Sequence, residues 1–263
     1  SVVAEELINS LTKLDFEISN LKFRGLKGAI GTSSDLANLF SIKQINEIET
    51  ELARSFGFER ILNSTGQIYP RSYDFSFVSC LVQLANPVDS FAKTLRLMAG
   101  QQLMFEGFQS KQIGSSAMPH KRNARTSERI NGLNVVLKGL CSMMMSTAGD
   151  QWNEGDVSCS VVRRVVIPDS FFTIDGILNS AINVLQNLVV DKTKVEEEIN
   201  QQLPNLISSK ILMECVKNGV GREVAHKKIK ELSLTFSTDR QSFFDAVTKD
   251  EVLKISKDLI NNI

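Results

Sequence analysis

Residues 114–123 read Gly114-Ser115-Ser116-Ala117-Met118-Pro119-His120-Lys121-Arg122-Asn123. A glycine, paired serines and a proline break helical periodicity, so the stretch reads as a loop between two apolar helical segments, the second beginning near Glu128-Arg129. Two hydroxyls, a run of free backbone N–H groups, a lysine, an arginine and an asparagine make up the inventory for holding an oxyanion. By composition alone the same residues also read as a solvated, basic surface loop.

Their order is more specific than their composition. Gly114-Ser115-Ser116-x-Met118-Pro119-x-Lys121-x-Asn123 resembles the signature loop of the fumarase and aspartase superfamily, lyases that expel fumarate from a substituted succinate. Residues 116–123 followed by Ser127-Glu128-Arg129 are most similar to the adenylosuccinate lyases of that superfamily. Cycloisomerases of the superfamily carry a similar loop, so the loop by itself leaves the substrate open. The resemblance implies the central and C-terminal portion of an all-α enzyme, a long-helix bundle with a smaller C-terminal helical domain.

The flanking periodicity agrees with that class. Phe77, Leu81, Leu84, Val88, Phe91, Leu95 and Met98 predict one helix from about Tyr73 to Met104, which Pro87 should kink by removing a hydrogen bond and crowding the preceding turn. After the loop, Ile130, Leu133, Leu137, Leu140 and Met144 predict a second long helix. Ile167, Phe171, Ile174, Leu178, Ala181, Leu185 and Leu188 predict a third, with Pro168 in its first turn. Ala4, Leu7, Leu11, Leu14, Ile18 and Leu21 predict an opening helix from Ser1 to about Phe23. Such seams with no strand signal between them mean a helix bundle, with Met143-Met144-Met145 as core filling. Leu36 to Phe56 reads as one amphipathic helix stopped by Gly57.

Beyond about Val190 the elements turn shorter and more charged. Thr193-x-x-Glu196 and Thr248-x-x-Glu251 read as capping boxes that start helices, with Pro204 and Gly219-Val220-Gly221 as separators. The domains are therefore expected at 1–190, with the signature loop at 110–125, and at 191–263. The chain opens inside an apolar seam without an initiator methionine or a cap, so an N-terminal domain is expected to be missing.

Thirty basic and thirty acidic side chains among 263 residues cancel, leaving no electrostatic footprint for nucleic acid or an anionic membrane. The apolar runs read as shorter than the roughly 20 residues of a membrane span, no signal peptide opens the chain, and a cytoplasmic location is expected. Cys80, Cys141, Cys159 and Cys215 stand far apart, and His120 and His226 are the only histidines. That spacing argues against a zinc site or disulfide framework and for buried, reduced thiols; no cofactor and no metal are expected.

Three further segments carry candidates. Residues 24–33 hold glycines spaced three apart, without the strand or Walker lysine of a phosphate loop. They read as a helix-ending turn, or, by resemblance to the Lys-Gly-x-x-Gly-Thr segment of adenylosuccinate lyases, as a substrate edge with Thr32 and Ser33 as site candidates. Residues 63–71 are polar and irregular, and the resemblance makes Gln67 a substrate contact. The connection 149–160 contains the one tryptophan and leads to Arg163-Arg164. Its charges read either as helix capping or, by resemblance, as part of the site, with Ser160 and Arg164 at positions that bind the nucleotide phosphate. Gly155 stands where many members have a substrate-binding arginine, which leaves one anion contact unassigned. His226, among lysines, reads as an ordinary helix residue.

Expelling fumarate requires a base for a weakly acidic C–H, an oxyanion stabiliser and an acid for the departing nitrogen. The resemblance makes Ser115 the base, ionised with the help of cations and backbone donors. It gives Lys121 and Asn123 the substrate carboxylate, makes Ser116 and Met118 substrate contacts, and adds Arg129 to anion binding. Glu128, thirteen residues after Ser115, would orient a histidine acid from an upstream segment, a position matched by neither His120 nor His226. The segment alone is therefore expected to turn over poorly or not at all. For the whole enzyme the resemblance implies conversion of adenylosuccinate to AMP and fumarate, and of SAICAR to AICAR and fumarate. It further implies a homotetramer in which each site draws on three chains. The rivals are a superfamily lyase or cycloisomerase with a non-nucleotide substrate, and a catalytically silent helical oligomerisation scaffold.

Overall fold

The computed structural model describes residues 1–107, 123–150, 157–236 and 239–257. In chain order, α1 (Val2–Ser19), α2 (Ser34–Ala37), α3 (Ile42–Ser55), α4 (Ser72–Gly100), β1 (Met104–Phe105), α5 (Arg125–Thr147) and α6 (Ser158–Gln186) belong to a first compact unit, Ser1–Val189. A second unit, Val190–Ile263, holds α7 (Lys192–Leu206), α8 (Ser208–Lys217), α9 (Arg222–Thr235) and α10 (Arg240–Lys249). The two-residue strand β2 (Val189–Val190) lies at the boundary.

The apolar seams of α4, α5 and α6 close on one another. Leu81, Leu84, Ala85 and Val88 of α4 meet Ile130 and Leu137 of α5 and Ile174, Ile177 and Ala181 of α6, with Leu7 and Leu14 of α1 laid over them. A neighbouring cluster joins Val78, Leu140, Met144 and Val166. Because Val78 meets the C-terminal half of α5 while Asp89 meets Asn131 near its start, α5 runs antiparallel to α4, and α6 returns parallel to α4. Leu137 and Ile177 are fully buried, each worth about 1.5–3 kcal/mol of apolar transfer.

Pro87 lies inside α4, which continues through it. Its ring removes the amide that would have bonded the Gln83 carbonyl. That carbonyl is taken up from outside the helix: the buried Ser10 hydroxyl of α1 faces Gln83 O at 3.0 Å while also facing Glu6 O at 2.7 Å. Lys13 Nζ reaches Gln83 Oε1 at 2.7 Å, so α1 docks where the proline has opened the ladder.

Several boundaries differ from the periodicity. The opening helix ends at Ser19, and Phe23 instead forms a bridge with Ile61. The stretch from Leu36 to Phe56 is two helices, because Ser41 and Gln44 form a reciprocal capping box that starts α3. Gly57, at φ +82°, supplies the expected stop. α6 begins at Ser158, so Pro168 sits in its interior and not its first turn. Met144 is core, but Met143 and Met145 are exposed. α6 is also long and apolar enough, by length and composition, to cross a membrane, contrary to the sequence reading. Its buried Val166, Ile174 and Ile177 nevertheless pack against α4 and α5 as a bundle seam.

In the second unit, Asp191 and not Thr193 caps α7, its Oδ1 accepting from Lys194 N at 3.0 Å. Pro204 falls in the last turn of α7 and Thr248 in the last turn of α10, its hydroxyl donating to Phe244 O. Ile211, Cys215, Ala225, Phe243, Val247 and Leu253 form the core of this unit. All four thiols are free, with Cys80, Cys159 and Cys215 buried; burial pushes the Cys80, Cys141 and Cys215 thiols above their ordinary values.

Candidate active site

The antiparallel course of α5 divides the candidate residues between two ends of the bundle. Asn123, Glu128 and Arg129 lie at the start of α5, beside the end of α4; Ser160 and Arg164 lie in the first two turns of α6, beside the start of α4. From Glu128 to the end of α5 at Thr147 the rise of about 1.5 Å per residue amounts to about 28 Å. One chain does not bring the two groups together.

At the first end a cleft of about 670 Å³ is lined by Lys93, Arg96, Leu97, Asn123, Ala124 and Glu128. Arg96 donates to Asn131 Oδ1 at 2.7 Å, and Asn131 Nδ2 donates to Asp89 Oδ1 at 2.7 Å and Asp89 O at 3.0 Å. Lys93 Nζ completes the chain at 2.7 Å from Asp89 Oδ2. Burial alone would push the Asp89 carboxyl up, but hydrogen bonds from Lys93 and Asn131 and the Lys93 charge outweigh it and hold the group below the ordinary carboxylate value.

Among the described residues, the start of α5 has no local side-chain cap. Ala124 stands at the N-cap with no acceptor on its side chain. Glu106 caps it from twenty residues upstream: its two carboxylate oxygens accept from Thr126 N at 3.0 Å and Ser127 N at 2.6 Å. The next amide, that of Glu128, already bonds within the helix, to Ala124 O at 2.9 Å.

At the second end Asp74, 9% exposed, is a hub. Tyr69 Oη donates to its Oδ1 at 2.6 Å and Arg163 Nε to its Oδ2 at 2.7 Å, while a second Arg163 nitrogen donates to Tyr69 Oη. The guanidinium groups of Arg71 and Arg163 lie 4.8 and 5.2 Å from the centre of the Tyr69 ring. Burial, then the bond to Asp74 and its charge, raises the Tyr69 phenol above its ordinary value against the opposing pull of Arg163 and Arg71. The network staples the connection carrying Gln67 to the helix carrying Ser160 and Arg164. Arg24 donates to the Gln67 carbonyl, and Thr65 Oγ1 to the Arg24 carbonyl at 2.9 Å. Beside it lies a mainly apolar cavity of about 690 Å³, lined among others by Phe23, Phe58, Leu62, Phe77 and Phe171.

The hydroxyls of Thr32 and Ser33 are used within their own turn, donating to Ser34 Oγ at 2.9 Å and Leu26 O at 3.2 Å. Glu128, Arg129, Arg164 and Gln67 are exposed; Asn123 and Ser160 are half-buried. Ser115, Ser116, Met118 and Lys121, with His120 and Gly155, lie outside the described residues. The sequence reading did not single out the Asp74–Tyr69–Arg163 and Asp89–Asn131–Arg96 networks or the Glu106 cap. Asn131 and Asn134, polar residues set among the apolar positions of α5, were the one available signal for the second network.

Two family models match the chain: "Lyase" over residues 5–139 and "Adenylosuccinate lyase C-terminus" over residues 204–263. Among relatives, the adenylosuccinate lyase of Schistosoma mansoni is 33% identical over 233 residues, covering 87% of this chain and 48% of the relative. That of Saccharomyces cerevisiae is 32% identical over 234 residues, with the same coverage of each. That of Archaeoglobus fulgidus is 30% identical over 236 residues, covering 89% of this chain and 52% of the relative. The chain thus spans about half the length of the relatives it matches. Among the solved structures that share the fold are 3-carboxy-cis,cis-muconate lactonizing enzyme from Pseudomonas putida (TM-score 0.76, 18% identity, 94% of this chain and 53% of that one) and fumarate lyase from Mesorhizobium sp. BNC1 (TM-score 0.76, 17% identity, 96% and 55%).

Proposed function

As the chain belongs to the adenylosuccinate lyase family of the fumarase and aspartase superfamily, we propose that it is part of an enzyme cleaving adenylosuccinate to AMP and fumarate, and SAICAR to AICAR and fumarate. The reaction is a base-catalysed β-elimination in cytoplasmic purine nucleotide synthesis. Ser115, as its alkoxide, takes the proton from the carbon beside a substrate carboxylate. The electron pair left behind forms the fumarate double bond as the carbon–nitrogen bond breaks, and an acid protonates the departing nitrogen. Lys121 and Asn123 hold the carboxylate whose charge grows in the carbanion-like intermediate, where fixed donors act most strongly. Glu128 orients the acid, a histidine in this family that neither His120 nor His226 matches. Arg129 adds to anion binding, Ser160 and Arg164 take the nucleotide phosphate, and Gln67, Ser116 and Met118, with Thr32 and Ser33 at the edge, contact the rest of the substrate.

The observation that carries this reading is the division of the candidate residues between two ends of the bundle, at a separation no small substrate spans. Such a division suits a site completed by other copies, and the assembly we propose is a homotetramer. Val135 and Val136 on α5 and Phe171, Phe172, Ile182 and Leu185 on α6 are exposed apolar surface of the kind a second copy covers.

The test is the ultraviolet absorbance change when the full-length protein meets adenylosuccinate, run beside Ser115→Ala. Turnover that the substitution abolishes is the expected result. Silence from a folded, full-length wild type would sink the reading in favour of another superfamily substrate or a silent scaffold.

A further inference from the structure

We infer that Glu106 is a positioning residue of the active site: it fixes where the first turn of α5 stands, and with it Asn123, Glu128 and Arg129. The inference rests on the lyase reading above and deepens it. A helix start leaves backbone N–H groups without intrahelical partners, and a serine, threonine or aspartate at the N-cap usually serves them. Here that place is taken by Ala124, which has no acceptor to offer. Both oxygens of Glu106 are spent on Thr126 N and Ser127 N instead, the two amides directly before Glu128.

A local cap would stabilise the helix equally well but would travel with it. A cap from Glu106 also ties the helix to the chain just beyond α4. That chain is itself fixed. Gly107 adopts φ +76°, and a Cβ there would lie 2.1 Å from Asn187 O, so the backbone next to Glu106 is pressed against the C-cap residue of α6. The chain just beyond α4 is thus held at Glu106 to the start of α5 and at Gly107 to the C-cap of α6. Asn123 and Glu128 face the cleft within one turn of the amides it holds.

The experiment uses the full-length protein as wild type, Glu106→Gln and Glu106→Ala. It reads kcat and KM for adenylosuccinate, thermal melting, oligomeric state and hydrogen exchange of the amides over residues 125–128. Loss of the tie is expected to speed exchange at Thr126 and Ser127. It should lower kcat about tenfold to a hundredfold, the cost of sub-ångström to ångström misplacement of reacting groups, with a smaller change in KM. Glu106→Gln retains one acceptor oxygen and should fall between Glu106→Ala and wild type; should the alanine variant fail to fold, the glutamine variant carries the test. A folded Glu106→Ala with kcat within about twofold of wild type, or unchanged exchange at Thr126 and Ser127, overturns the inference even if its melting temperature falls, since a purely structural cap would do that much. A wild type silent toward adenylosuccinate overturns the lyase reading and this inference with it; an active wild type beside a fully active Glu106→Ala overturns this inference alone.

Discussion

Replacing Asp74 by asparagine keeps the shape of the hub and removes its charge. Two short bonds then lose their ionic acceptor, those from Tyr69 Oη at 2.6 Å and from Arg163 Nε at 2.7 Å. The asparagine oxygen can serve one of these donors, but its NH₂ faces the other. Arg71, 8% exposed, with its Nε lacking a partner among the described residues, loses the Asp74 charge 3.9 Å away. Breaking a buried pair from one side costs about 3–5 kcal/mol, and hydrogen bonds to charged groups are worth about 1.5–3 kcal/mol each. Arg163 retains 25% of its exposure, so water recovers part of its loss, and the expected destabilisation is about 3 kcal/mol. Urea unfolding followed by circular dichroism at fixed protein concentration measures it, with Arg163→Met and the double variant completing a cycle. A loss under about 1 kcal/mol, or single effects that add to within about 0.5 kcal/mol, would refute the hub.

Ser10→Ala removes the outside donor from the Gln83 carbonyl at the Pro87 gap. Because the hydroxyl is shared with Glu6 O, the cost should be near the low end of an unsatisfied buried acceptor, about 1 kcal/mol, and should shrink in a Pro87→Ala background, where the ladder amide returns. The Asp89 carboxyl is held below its ordinary value, so its stabilisation is fully present above the unfolded value, about 3.9, and is lost as pH falls through the lower folded value. Acid titration of stability below about pH 4 should therefore be shallower in Asp89→Asn than in wild type; parallel curves would contradict the assignment.

Apolar spacing made the long helices legible, because burial of one face governs them. The errors fell where local chemistry governs. Ser41 and Gln44 carry a capping box in plain sight, yet the apolar rhythm across them suggested one helix. Pro168 looked like a helix start because proline is favoured in the first turn, but α6 draws a further ten residues N-terminal to it into the bundle. Around the site, individual candidates could be named from their order in the chain. Their supports could not, because Asp74 with Arg163 and Asp89 with Asn131 are separated by 89 and 42 residues. Glu106 was the least visible of all, since nothing nearby in sequence marks it as the cap of α5.

The distance between the two ends of α5 has a genetic consequence under the proposed assembly. A lesion at Glu128 and a lesion at Arg164 would disable different contributions to a shared site, so damage is not private to the chain that carries it. A cell making both defective versions would build mixed assemblies in which some sites draw each end from an undamaged copy. Two alleles that are null apart would then restore one another in part, whereas two alleles damaged at the same end would not.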